Sequence, residues 1–114
     1  MRRDPSYLLD MLSSVRDVVE FASELTFPQF EQDRLRWSAI LKAIEIIGEA
    51  ASCLSSETKE AHLEIEWHKI IGMRHHLVHG YSEIDNELVW QAVQEDIPAL
   101  IAKLESIVPP ETEQ

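Results

Sequence analysis

Apolar side chains recur every three or four residues along most of this 114-residue chain, and glycine occurs at only three positions. This spacing places apolar side chains on one side of a helix, whereas a half-buried strand would carry them at every second position. The first such segment runs from about Pro5, a residue favoured in the first turn of a helix, to about Leu25. Its expected buried stripe is Leu8, Met11, Leu12, Val15, Val18, Val19 and Ala22. The sequence therefore predicts an all-α fold.

A second helix is predicted from about Glu31 to about Leu54, after a loop over residues 26–30 that contains Pro28. Its apolar residues cover more than one face: Ile40, Leu41, Ala43, Ile44, Ile46, Ile47, Ala50, Ala51 and Leu54. A surface helix keeps one apolar stripe, so the wider coverage predicts a helix that is central in the fold or shared with a partner. Gly48 and the small residues after it would allow another helix to approach closely.

Glu45 and Glu49 interrupt the apolar face of this second helix and lie one turn apart. Two carboxylates at that spacing repel each other mildly unless a cationic group faces them. Two interpretations stay open: a solvated stripe, or a counter-charge for a cationic site elsewhere in the chain.

Shorter helices are predicted in the second half of the chain. Ser55 or Ser56 is a suitable cap for a helical turn over 57–61, and residues 62–66 form a connection. Another helix starts near Trp67 and ends at Gly80, and a last one follows Asp85 and is kinked or split by Pro98. Its expected buried residues are Leu88, Val89, Ala92, Val93, Ile97, Leu100, Ile101 and Leu104. We expect one domain over residues 1–108 and a polar tail over 109–114.

Composition narrows the class of protein. The single cysteine, Cys53, excludes an internal disulfide framework, and no segment has the length of a membrane span or the pattern of a signal peptide. We therefore expect a cytoplasmic protein without a membrane anchor. The formal net charge of −11 argues against a broad basic face for nucleic acid. It leaves open an enzyme with one local cationic cleft, or a protein that binds a more basic partner.

Residues 74–81 concentrate an arginine, three of the five histidines and a tyrosine. The guanidinium of Arg74 can hold a phosphate without losing its charge, and the imidazole of His79 can transfer protons at neutral pH. On a straight helix, however, two residues five apart point about 140° away from each other. The two side chains can converge if the helix frays at Gly80, or if a second copy of the chain completes the site.

Three functions fit this segment on spacing alone. In the first, His79 is the acid/base group of an RNA-cleaving site and Arg74 binds the scissile phosphate. In the second, His75 and His79 bind a metal with His76 or with Glu45 and Glu49, although two histidines at i and i+4 are only half of such a site. In the third, the segment is an ordinary polar helix end, with Arg74 paired to a carboxylate and the histidines solvated.

The chain as a whole resembles the HepT-like proteins of the HEPN superfamily, which are small helical toxins. The residues that carry the resemblance are the Arg-x4-His-x-Tyr signature, here Arg74, His79 and Tyr81, and four flanking segments. These segments are Arg3-Asp4-Pro5 with Tyr7-Leu8-Leu9-Asp10, Ile44-Glu45-Ile46-Ile47-Gly48-Glu49-Ala50-Ala51, Val89-Trp90 and Glu95-Asp96-Ile97-Pro98. The resemblance extends from about residue 2 to residue 108.

The resemblance implies a homodimer of four- or five-helix bundles with a composite cleft where the two signatures meet. Beside the supporting residues that we expect from the sequence itself, His75, Tyr81, Glu45 and Glu49, the resemblance implies a metal-independent, cofactor-free endoribonuclease in which Arg74 and His79 are catalytic. It further implies the toxin of a type II/VII-like HepT–MntA toxin–antitoxin system. In such systems a minimal nucleotidyltransferase antitoxin transfers AMP to the tyrosine, here Tyr81, and silences the RNase.

One position departs from the family pattern. Relatives often carry Asn or another small polar residue directly after the arginine, and this chain carries His75. An imidazole there is larger and can titrate, so it can alter the rate or the choice of RNA. The alternative function is a non-catalytic helical adaptor that binds and regulates a nucleotidyltransferase, and the net charge of −11 favours that alternative.

Overall fold

The computed structural model describes residues 3–79 and 84–108, and for residues 76–79 it describes the backbone only. In the described ranges the secondary structure is helical throughout, which confirms the all-α prediction. The helices are α1 (Asp4–Ala22), α2 (Phe27–Gln32), α3 (Arg34–Cys53), α4 (Ser56–Ala61), α5 (Trp67–His79), α6 (Asn86–Gln91) and α7 (Ile97–Glu105), with a π-helical turn, Ala92–Asp96, between α6 and α7. The predicted helix end at Gly80 and the tail over 109–114 lie outside the described residues.

Helix α1 packs along α3 and α7, and its buried stripe differs from the predicted one at two positions: Ser14 is buried as well, and Val19 is not. Val19 is 38% exposed, so its assignment to the stripe was wrong. Helices α3 and α7 cover one side of α1. Val19, the residue after Val18, lies at the edge of that side. The helix ends at Ala22, three residues before the predicted Leu25.

The loop predicted over residues 26–30 is wrong, because α2 starts at Phe27. Thr26 and Gln29 form a capping box, in which each side chain accepts a hydrogen bond from the backbone N–H of the other. Pro28 is in the first turn, where a helix does not need its missing N–H. The helix buries Phe30, whose ring centroid lies 5.0 Å from that of Trp90.

Asp33 separates α2 from α3, so the second long helix starts three residues later than predicted. The backbone N–H of Asp33 donates to the carbonyl of Gln29 and ends α2. Its carboxylate accepts from the backbone N–H of Arg36 and caps α3. One residue is thus the C-cap of one helix and the N-cap of the next.

Helix α3 is the central helix of the fold, as its broad apolar surface predicted. It lies against α1 on one side and α5 on another. Its buried residues are Ile40, Ala43, Ile44, Ile47, Gly48, Ala50 and Ala51. This position brings the middle of α3 next to the segment of α5 that carries the candidate site.

Helix α4 begins at the predicted cap, Ser55, and is held to the start of α1 by Asp4. The Asp4 carboxylate accepts hydrogen bonds from the Ser55 hydroxyl at 2.6 Å and from the Thr58 hydroxyl at 2.5 Å. These bonds lower the pKa of Asp4 below its ordinary value, because they stabilise the charged carboxylate. A connection over residues 62–66 then leads into α5.

The last segment begins at the predicted cap, Asp85, whose carboxylate accepts from the backbone N–H of Leu88 at 3.1 Å. Pro98 stands in the first turn of α7, and the π-helical turn directly precedes that helix. A π-helical turn thus interrupts the last helix directly before Pro98, where a kink or a split was expected, and the backbone stays helical through it. Leu88 is 48% exposed, against expectation, because it lies in the first turn of α6 rather than under a neighbouring helix. No helix in the described ranges has the length and apolarity to cross a membrane.

Candidate active site

Arg74 lies in α5 where this helix comes closest to α3. Its aliphatic stem rests directly on Gly48. A Cβ atom added to Gly48 would lie 2.9 Å from Cγ of Arg74 and 3.1 Å from its Cδ, and would overlap its Cβ outright. Gly48 has an ordinary helical backbone without a positive φ, so glycine is required here for space and not for conformation. The sequence predicted a close helix approach at Gly48, and the structure adds that its partner is Arg74.

Glu49 holds the other end of the Arg74 side chain. Nη2 of Arg74 and Oε1 of Glu49 form an ion pair at 2.7 Å. The Arg74 side chain is 24% exposed and that of Glu49 is 57% exposed, so solvent screens the attraction and its free energy is modest. Glu49 therefore faces a cation, as a counter-charge would, and the same pair fits an ordinary polar helix end in which Arg74 is bound to a carboxylate. Glu45, one turn earlier, lies 3.9 Å from Lys42 instead.

The Nε atom of Arg74 is buried and has no hydrogen-bond partner among the described groups. A buried donor left in this way costs about 1–3 kcal/mol, so such an arrangement is unfavourable unless another group completes it. Nε is closed off from solvent, and Nη2 faces Glu49. The donors that remain for an incoming anion are therefore those of Nη1 and the N–H of Nη2 that does not point at Glu49.

His79 is the last residue of α5, and the helix is continuous between Arg74 and His79. The backbone therefore does not break between the two residues, and their positions are about 140° apart around one helix axis. Gly80, where fraying was expected to bring the two side chains together, lies outside the described residues. The two positions thus lie on different sides of α5.

The other residues of the signature fall partly outside the described structure. His75 is exposed on α5 directly after Arg74. The side chains of His76 and His79 are not described, and Tyr81 lies outside the described residues. The positions of the His79 imidazole and the Tyr81 hydroxyl remain predictions from the sequence. Within residues 3–75 and 84–108, no three His, Cys, Asp or Glu side chains are grouped so that they could hold a metal ion.

The three tryptophans are structural. Trp67 is buried and donates its indole N–H to the carbonyls of Lys59 and His62, at 3.1 Å each. Trp37 donates to Oδ1 of Asn86 at 2.8 Å, and Trp90 packs on the α2 phenylalanines. None of the three is left as an exposed stacking platform for bases.

Comparison with known proteins gives consistent results. A family model described as "Ribonuclease HepT-like" matches residues 11–107. A protein of Thermococcus cleftensis named "Probable ribonuclease HepT" is 36% identical over 106 residues, which cover 93% of this chain and 96% of the relative. A protein of Methanocaldococcus jannaschii named "Putative RNase MJ1380" is 32% identical over 102 residues, covering 90% and 94%. No solved structure matches significantly.

The matched range includes α3, α5 and both ends of the Arg74 contact, so the site described above belongs to the part of the chain that the relatives share. With a helical fold in the described residues and a family match over most of its length, this chain belongs to the HepT-like ribonuclease family of HEPN proteins.

Proposed function

We propose that this protein is a metal-independent endoribonuclease in which Arg74 and His79 carry out the cleavage. The observation that carries the proposal is the placement of Arg74. Its charge is held at a partly exposed helix surface, and the same helix ends in His79, inside the range shared with the ribonuclease family. An arginine in that setting suits a phosphate ligand better than a buried structural role.

The chemistry needs no bound metal or cofactor. The 2′-hydroxyl of the RNA attacks the adjacent phosphorus, the bond from phosphorus to the 5′-oxygen breaks, and the products are a 2′,3′-cyclic phosphate and a 5′-hydroxyl. His79 assists the proton transfers, and Arg74 stabilises the extra negative charge of the transition state. A substrate with a 2′-deoxy sugar at the cleavage site lacks the nucleophile and should not be cut.

A homodimer resolves the geometric difficulty of the single helix. Since the positions of Arg74 and His79 lie on different sides of α5, a cleft that uses both residues is formed most simply where two copies meet. Arg74 of one copy would then face His79 of the other. His75, exposed beside Arg74, supports substrate binding in this arrangement, and Glu49 supplies a counter-charge. Glu45 adds negative charge one turn away on the same helix.

Tyr81 is the proposed control point. It lies two residues beyond His79, so AMP attached to its hydroxyl would place a bulky phosphodiester beside the cationic cleft and occupy it. The donor would be a minimal nucleotidyltransferase antitoxin of the MntA type, which makes this protein the toxin of the pair in the cytoplasm. Tyr81→Phe should remain an active RNase and should resist AMP attachment when transferase and ATP are supplied.

The central test is RNA degradation with EDTA present. We expect Arg74→Ala and His79→Ala each to lower the rate by at least about 10²-fold, because one loses transition-state charge stabilisation and the other a proton-transfer group. His68→Ala is the matched control, since His68 is an exposed histidine on the same helix outside the signature. Cleavage that persists in both signature variants would refute the proposed roles.

The second candidate is a non-catalytic adaptor of a nucleotidyltransferase, and the net charge of −11 favours it because RNA is repelled by most of the surface. Growth arrest on expression of the protein alone, lost with His79→Ala, would support the RNase. Growth that is unaffected by either the wild type or the variant would support the adaptor.

A further inference from the structure

We propose that Gly48 and Glu49 of α3 together position the Arg74 guanidinium, so that the rate of RNA cleavage depends on two residues outside the signature. The inference rests on the proposed function, because it assigns a task to the neighbours of Arg74 in the same site. It makes α3 the element that fixes where the phosphate-binding charge lies.

Gly48 fixes the stem. A Cβ atom on residue 48 would lie 2.9 and 3.1 Å from Cγ and Cδ of Arg74. It would also overlap the Cβ of Arg74, which is attached rigidly to the α5 backbone. Rotation of the side chain therefore cannot relieve the clash that any other residue would cause. Substitution at Gly48 must move α5 away from α3 or turn Arg74 out of its place, and either change shifts the guanidinium.

Glu49 fixes the guanidinium. It is the residue directly after Gly48, so the stem and the terminal group of Arg74 are held by consecutive positions of one helix. With Nε enclosed by protein and Nη2 at 2.7 Å from Glu49, the plane of the guanidinium has little freedom before substrate arrives. Such preorganisation matters for catalysis, since a misplacement of about 1 Å can lower a rate about 10²-fold.

The sign of the Glu49 effect separates positioning from simple electrostatics. If Glu49 acted only as a negative charge near RNA, its removal would strengthen substrate binding and lower KM. If it positions Arg74, its removal lowers kcat, because the guanidinium acts on the charge that develops in the transition state. We expect Glu49→Gln to lower kcat about tenfold to 10²-fold with KM unchanged or lower.

The control for Glu49 is the ion pair between Arg16 and Glu105, whose Nη2 and Oε2 atoms are 2.9 Å apart. Glu105→Gln makes the same change of charge and breaks an Arg–Glu pair of similar length in helices α1 and α7. It should leave kcat as in wild type. A loss of kcat in both variants would reduce the Glu49 effect to a general change of charge or stability and would overturn the proposal.

The control for Gly48 is Gly72, which lies in α5 two residues before Arg74. A Cβ at Gly72 meets no atom within 4 Å. Gly72→Ala should keep full activity, whereas Gly48→Ala should lose kcat at least as strongly as Glu49→Gln. If Gly48→Ala does not fold, Glu49→Gln carries the test, since a change at a 57% exposed carboxylate leaves the packing of α3 in place.

A double-mutant cycle shows whether Glu49 acts through Arg74. Arg74→Lys retains a positive charge but not the planar fork, so it should already be impaired. Adding Glu49→Gln to Arg74→Lys should cause little further loss, because the group that Glu49 orients is gone. Two independent, multiplicative losses would mean that Glu49 acts on substrate or on His79 rather than on Arg74, and would overturn the assignment.

A nuclear magnetic resonance measurement tests the placement without activity. The Nε–H of Arg74, identified as the signal that Arg74→Lys removes, should exchange slowly with water in wild type because it is buried. Glu49→Gln and Gly48→Ala should speed its exchange, and Gly72→Ala and Glu105→Gln should not. If wild type cuts no RNA, the proposed function fails while this measurement still decides whether α3 positions Arg74. An Nε–H unaffected by the α3 variants would refute the positioning.

Discussion

At the scale of single residues, the indole of Trp67 joins three parts of the chain. The side chain is buried at the start of α5, and its N–H reaches two backbone carbonyls at the end of α4 and just beyond it. The Lys59 carbonyl also accepts from the backbone N–H of His62, and the His62 carbonyl from that of Ile65, so the indole adds a second donor to each. The connection over residues 62–66 is thereby held against the helix that carries the candidate site.

We predict that Trp67→Phe lowers the free energy of unfolding by about 1–3 kcal/mol, because the variant loses the N–H donor and leaves a gap beside the smaller ring. Urea denaturation followed by circular dichroism measures the change. Trp37→Phe is the comparison, since its N–H bonds the partly exposed Asn86, which water can solvate instead. An equal loss in the two variants would contradict the special role of the Trp67 bonds.

The candidate site could be predicted from the sequence in its residue types but not in its contacts. Arg74 and Glu49 were both named as candidates, because their chemistry suits a phosphate site and its counter-charge. Their pairing depends on how α5 docks on α3, and that docking is decided by a missing side chain at Gly48. The spacing of residues along one helix cannot predict this pairing, because Arg74 and Glu49 lie on different helices, 25 positions apart in the sequence.

At the scale of elements, the first turns of α1 and α4 are joined through Asp4, 51 residues before Ser55. The carboxylate accepts hydrogen bonds from the hydroxyls of Ser55 and Thr58. The Ser55 hydroxyl oxygen also accepts from the backbone N–H of Thr58 and so caps its own helix. Two short-range signals, a helix start near Pro5 and a cap at Ser55, were readable from the sequence. Their joining was not, because it requires both helices to be in place.

We predict that the Asp4 contact makes stability depend on pH in the acidic range. Hydrogen bonds from Ser55 and Thr58 lower the pKa of Asp4 in the folded protein below the ordinary 3.8. The charged Asp4 contact therefore makes its full contribution to the free energy of unfolding above about pH 4. This contribution is lost as the pH falls through the lower pKa that Asp4 has in the folded protein. Unfolding free energies of wild type and Asp4→Asn, measured by urea denaturation from pH 7 to pH 2.5, should differ at neutral pH and converge in acid.

The control for Asp4 is Asp17→Asn on the exposed side of the same helix, which should show no such convergence. A constant difference between wild type and Asp4→Asn over the whole range would mean that the carboxylate is not specially stabilised by the two hydroxyls.

Element boundaries were predictable where a cap and a periodic pattern agreed, as at Ser55 and Asp85. They were wrong over residues 26–30, where Pro28 was interpreted as a loop residue. The signature of a capping box, Thr26 followed three residues later by Gln29, was present and outweighs the proline, which a first helical turn accepts. The start of α3 was misplaced for the same reason, since α2 takes up the residues before Asp33.

At the scale of the whole molecule, a strongly acidic protein carries a site that must attract a polyanion. The net charge of −11 slows association with RNA unless the local field at the cleft is positive. A dimer that brings two Arg74 side chains and two signature segments together would concentrate positive charge at one place. The proposed composite cleft would therefore account for both the geometry of α5 and the charge of the chain.

We predict that subunits with different defects complement each other. Arg74→Ala and His79→Ala should each be inactive alone, yet mixed dimers contain one cleft with an intact Arg74 from one subunit and an intact His79 from the other. Co-expressed or co-refolded subunits should recover about a quarter of the wild-type rate, since half of the dimers are mixed and each has one intact cleft of two. A mixture as inactive as its components would place both residues of each cleft in the same subunit.

The junction at Asp33 has a consequence for how the chain length can vary among relatives. The connection at residues 23–26 can take an inserted residue, because no single side chain caps both of the helices that it joins. At Asp33 one residue caps the end of α2 and the start of α3. An insertion or deletion there would rotate α3 by about 100° relative to α2 and turn Gly48 away from α5. We therefore expect length differences between homologues to accumulate at the connection over residues 23–26 and to be absent from this corner.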